Sequence, residues 1–94
     1  MRTLDVQRLV AFYSEILGCT VERTLPPETG LTQLRAGYAL IDIVDINSSL
    51  GRAGGEAPQP TGNNMDHFCL QIEAITEADL TAWLESHNVE VGDF

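Results

Sequence analysis

Positive charge is scarce in this sequence: five Lys and Arg stand against 14 Asp and Glu over 94 residues, a formal net charge of -9. That balance repels nucleic-acid phosphates and anionic membrane surfaces, so neither is expected as a partner. Cysteine is scarcer still. Cys19 and Cys69 are too few and too isolated for a disulfide scaffold, and with no CxxC pair or Cys/His cluster they offer no structural zinc site. Reduced thiols in a cytoplasmic protein are the expectation. No apolar run approaches the roughly 20 residues of a membrane helix, and no signal-peptide pattern opens the chain. The phosphate-cradling patterns GxGxxG and GxxxxGK[ST] are missing, and no Ser/His/Asp arrangement can be drawn.

What is there suffices for one small domain. A hydrophobic content of 44% is ordinary for a globular chain, and a domain this size buries roughly 60–65% of its unfolded surface and has little stability to spare. The clearest unit is DVQRLVAFYSEILGCTVER, residues 5–23. Val6, Leu9, Val10, Tyr13, Ile16 and Leu17 follow the spacing of one helical face. Asp5 is placed to cap that helix and Gly18 to stop it, and Val21 between Thr20 and Glu22 opens a strand over 19–23. Shifted by about 70 positions the pattern returns more faintly: Val10 meets Leu80, Tyr13 meets Trp83, Gly18 meets Asn88 and Val21 meets Val91. Two related halves are implied, with Leu17 and Trp83 both expected in the core.

In chain order, 1–4 reads as the end of a strand. LPPETG is a loop, 31–35 a second full strand, Ala36-Gly37-Tyr38 a tight turn, and 39–46 the most strand-like segment of all, with Asp42 and Asp45 embedded in aliphatic residues. Residues 47–64 are rich in Gly, Pro, Ser and Asn and read as a linker. Residues 66–73 alternate cleanly, Phe68, Leu70 and Ile72 on one side and His67, Cys69 and Gln71 on the other, as a strand would. Thr76 with Asp79 approximates a capping box for a helix bearing Leu80, Trp83 and Leu84. Asn88 stops it and 89–91 begins a further strand.

The resulting order is βαβββ followed by βαβ, an α+β chain. In DVQRLVAFYSEILGCTV, GLTQLRAGYALIDIV and NNMDHFCLQI followed by a helix and NVEV, the sequence resembles the vicinal oxygen chelate superfamily of glyoxalase I, bleomycin and fosfomycin resistance proteins and extradiol dioxygenases, over nearly its whole length. The resemblance implies paired βαβββ modules whose curved sheets form a cup with the helices outside. On that frame, residues 1–46 are a first module lacking most of its first strand, 47–64 a linker and 65–94 an incomplete second module, all within one glyoxalase-like domain that looks clipped at both ends.

The resemblance also marks His67 and Asp42 as metal ligands. His67 matches the ligand position on the first strand of the second module, and imidazole suits zinc, nickel, manganese and iron; its plainer role is a partly buried histidine bonded to backbone. Asp42 stands where metal-using relatives carry a Glu, and its plainer role is a carboxylate on a solvated rim. Strand parity puts Asp42 with Leu40 and Val44 and Asp45 with Ile41 and Ile43, so only one of the two faces the cup. Two ligands are fewer than the three or more that a divalent metal centre uses. Phe12 and Tyr13 read as core, Cys69 as packing, and His87 as a helix-terminal contact. Function therefore divides three ways: a metal-dependent lyase or dioxygenase acting on a small molecule with vicinal oxygens, a metal-free small-molecule-binding dimer of the drug-sequestering type, or an inactive member of the family. A homodimer is expected, because open sheet edges seek partners.

Overall fold

The computed structural model describes residues 1–57, 59–61, 65 and 67–92. The chain divides into two compact units, 1–63 and 64–94. Among the described residues no helix is long and apolar enough to cross a membrane.

The first unit runs β1 (Arg2–Thr3), α1 (Val6–Ala11), β2 (Thr20–Thr24), β3 (Leu31–Ala36), β4 (Ala39–Asp45) and α2 (Ser49–Ala53). Asp5 caps α1 by accepting a hydrogen bond from the Arg8 amide at 3.0 Å. Past Ala11 the chain widens into a π-helical turn, Phe12–Ile16, where Leu17 N–H reaches the Phe12 carbonyl. The Ser14 hydroxyl bonds back to the Val10 carbonyl in the same stretch, a side-chain competitor for helix backbone. Gly18, at φ 76°, ends the run in the left-handed region. The extra residue of the π turn lay below the resolution of a 3.6-residue pattern. Tyr13 is buried, whereas Leu17 is only half-buried.

The four strands form one mixed sheet in the order β1-β4-β3-β2, with β1 parallel to β4 and the other pairs antiparallel. Ala36 pairs with Ala39, so Gly37-Tyr38 is a two-residue turn, and Gly37 at φ 60° supplies the positive dihedral that such turns require. Burial alternates along β3 and β4. Thr32, Leu34, Ile41 and Ile43 are buried, with Leu34 and Ile43 fully so. Thr32 lines a groove with Val6, Val10 and Ala11, so this buried side is the one that α1 covers. The core of the unit is completed by Tyr13, Cys19 and Ile46.

Three expectations are corrected here. The stretch from 47 onward does not begin as linker: Ser48 caps α2, its Oγ accepting from Gly51 N–H at 3.1 Å and donating to the Asp45 carbonyl at 2.6 Å. A five-residue helix is too short to show an apolar period. The strand expected over 66–73 is also absent from its described residues, and so is the one over 89–91; Asp66 lies outside them. Alternation makes a strand possible, but only a neighbouring ladder satisfies its N–H and C=O groups, and no strand of the second unit is present among the described residues to supply one.

In the second unit α3 (Glu77–Ser86) forms as expected, with the Thr76 hydroxyl accepting from the Asp79 amide at 3.1 Å. Asn88 ends it at φ 58°, the counterpart of Gly18 in the first unit. Trp83, expected in the core, is instead 47% exposed. Its ring lies against the His87 imidazole, with centroids 4.2 Å apart, and among the described residues of this unit none is buried, Leu80 and Leu84 of the stripe being half-buried.

Candidate functional site

The side of the sheet away from α1 is the place to look for chemistry. Alternation along β3 and β4 sends Leu31, Gln33 and Arg35 from one strand, and Leu40, Asp42 and Val44 from the other, to that face. Cross-strand register pairs Leu31 with Val44, Gln33 with Asp42 and Arg35 with Leu40. At its centre Gln33 Nε2 donates to Asp42 Oδ1 at 2.9 Å. Asp42 is exposed there, in an apolar surround of Leu31, Leu40 and Val44.

Each margin of the face is fixed by an arginine. On the β2 side the Arg35 guanidinium holds Glu22 through two bonds of 3.0 and 3.3 Å. Those bonds, reinforced by the arginine's charge, lower the Glu22 pKa from its ordinary value. On the β1 side Arg2, paired with Val44, donates to the carbonyls of Gly51 and Gly55 at 3.0 and 2.6 Å and of Glu56 at 3.1 Å. It thereby ties the turn after α2 to the sheet. The Met1 ammonium also bonds the Asp42 carbonyl.

The helix side is chemically quiet. Burial raises the pKa of the Tyr13 phenol, with the neighbouring Cys19 adding to the effect, and burial likewise raises that of the Cys19 thiol. Both groups stay protonated at neutral pH. Tyr13 donates to the Met1 sulfur at 3.4 Å, and a protonated buried thiol is a packing group rather than a nucleophile.

Of the sequence-derived ligands, Asp42 is in the first unit, on the open face and bonded to Gln33. His67 is exposed and belongs to the second unit. Asp45, half-buried on the opposite parity, accepts from the Asn47 amide at 2.8 Å. Among the described residues no group of three or more His, Cys, Asp or Glu is arranged to hold a metal ion. Calorimetric titration with zinc, nickel and manganese at neutral pH is expected to give dissociation constants weaker than about 10 μM. Submicromolar binding lost in both Asp42→Ala and His67→Ala would overturn that.

Gln33 was the residue missed from the sequence. Its signal was present, since a two-residue turn at Gly37-Tyr38 fixes the register, and counting back from it places position 33 opposite position 42. No family model matches the sequence, and neither a curated protein nor a solved structure matches it.

Proposed function

We propose that this chain is a metal-free small-molecule-binding protein of the vicinal oxygen chelate type, with its ligand on the open face of the four-stranded sheet. The observation that carries the reading is the Gln33–Asp42 pair at the centre of a sheet face flanked by the exposed Leu40 and the half-buried Leu31 and Val44. The βαβββ order of the first unit, with β1 parallel to β4, supports a glyoxalase-like module. In this reading a second copy supplies the opposite wall of the cup, and the binding species is a homodimer. The first unit suits such pairing. It carries all five arginines against seven carboxylates, a net of only -2 out of the chain's -9.

The patch selects its ligand by two terms. Leucine and valine side chains gain by covering flat apolar area, and a carboxylate with one oxygen engaged by Gln33 keeps acceptor capacity for a cationic donor. A small aromatic cation satisfies both, and the overall negative charge raises its local concentration. Proflavine serves as a probe. Fluorescence titration is expected to give saturable binding that Asp42→Asn weakens about tenfold, the equivalent of about 1.4 kcal/mol. Glu28→Gln, which removes the same charge elsewhere, leaves it within twofold. Equal losses in the two variants would reduce the effect to net charge and end this reading. Tight metal binding at Asp42 would replace it with the lyase or dioxygenase reading.

A further inference from the structure

The helix side of the sheet is not closed along its outer strand. α1 packs against β4, and beside it a groove of about 410 Å³ lies between the helix and the β2–β3 pair, within the range of small-molecule sites. Its floor follows from the register. Val21 pairs with Leu34 and Thr24 with Thr32, and the shift between Val21 and Arg23 sets these two β2 side chains, three positions apart, on one face. Leu34 and Thr32 are buried, whereas Val21, pointing the same way, is 52% exposed. Val10 and Ala11 form the facing wall, and Glu15 is the one charged residue that lines the groove. Glu15 is exposed, and among the described residues its carboxylate has no hydrogen-bond or ion-pair partner. Ser14 and Glu15 both belong to the π-helical turn Phe12–Ile16, a departure from regular helix geometry that is frequent at functional sites.

We propose that this groove is a further small-molecule site, taking an aliphatic amine in its ammonium form: the alkyl chain covers Val10, Ala11 and Val21, and the ammonium pairs with Glu15. The charge decides the class of ligand. A lone carboxylate beside an apolar floor offers acceptors to an ammonium and no donor to an anion. The chain's net charge of -9 acts in the same direction, drawing cations and turning anions away. The gain on the apolar side comes from covering Val21, the floor residue that the helix leaves open. The site lies on the opposite side of the sheet from Asp42 and does not depend on what that face binds.

The test is a set of amide ¹H–¹⁵N spectra of the full chain titrated with n-octylammonium, which is charged at neutral pH, beside n-octanoate, which has the same chain length and the opposite charge. Octylammonium is expected to saturate with a dissociation constant on the order of 0.1–1 mM, with the largest shifts on residues 10–15, 21, 24 and 32. Octanoate should bind at least about tenfold more weakly. Glu15→Gln is expected to weaken octylammonium binding about threefold to fivefold, and Val21→Thr about threefold. Glu28→Gln, the same loss of charge elsewhere in the unit, should leave it within about 1.5-fold at physiological salt. Both replaced side chains of the groove are exposed, so neither change touches the buried layer, and swapping the ligand leaves the protein unaltered altogether. The proposal falls if octanoate binds as well as octylammonium, if neither saturates, or if Glu15→Gln and Glu28→Gln lose equally. It also falls if the shifts centre on residues 33, 35, 40 and 42, or if sedimentation shows self-association that Val21→Thr weakens, since a second copy would then cover the groove.

Discussion

Ile43→Ala is expected to cost about 2–5 kcal/mol in urea melts, because the removed atoms leave a cavity in the layer between β4 and α1. Among the described residues, Ile43 and Leu34 are the two large side chains with no exposed surface at all. A chain this small has a total stability on the order of 5–10 kcal/mol, so the loss takes a large share of it and should lower the melting temperature by roughly 10 °C or more. The contrast with its neighbour is the informative part. Leu40, three positions back and on the open face, is 45% exposed, and Leu40→Ala should stay within about half a kcal/mol. A larger loss at Leu40 than at Ile43 would mean that the strand's faces are assigned the wrong way round.

Gly51→Ala is the second large effect, and it has a sign that the sequence alone would reverse. A glycine in a flexible linker, or inside an exposed helix, gains about 0.4–1 kcal/mol on replacement by alanine. Here a Cβ would come within 2.1 Å of the Asp45 carbonyl oxygen and 2.3 Å of the Ile46 Cα. Those are backbone atoms, held by β4 and its hydrogen bonds, so they cannot swing aside as a side-chain tip would. A loss of about 1–3 kcal/mol or more is expected, with α2 displaced from the sheet end. A gain in stability would mean that 49–53 does not pack against β4.

These two residues also show what was legible beforehand. Patterns that close on themselves were readable. Asp5 and Gly18 bracket α1, Thr76 and Asn88 bracket α3, and Gly37 fixes the hairpin whose alternation hides Ile41 and Ile43. Features that depend on a neighbour were not. The burial of Gly51 comes from the close approach of α2 to the end of β4, and the strand pattern of 67–73 needed a pairing edge before it could become a strand. Trp83 fell between the two kinds: its helix was readable from local signals, but its burial depends on neighbours, and no described residue of its unit is buried.

The site divides in the same way. Parity along β4 separates Asp42 from Asp45, and the structure places Asp42 on the open face. The partner that gives Asp42 its chemistry lies on another strand, and only register reveals Gln33. Metal-ligand expectations for Asp42 and His67 rested on residue type and on the resemblance, neither of which supplies the further donors that a centre requires.

The most direct measurement of the central claim is a set of amide ¹H–¹⁵N spectra recorded while proflavine is added to the full chain without metal. If the open face of the sheet is the ligand wall, the largest shifts fall on residues 31–35 and 40–44, alternate along each strand, and shrink in Asp42→Asn. Shifts centred on residues 67–92, or scattered over carboxylates throughout the chain, would contradict it.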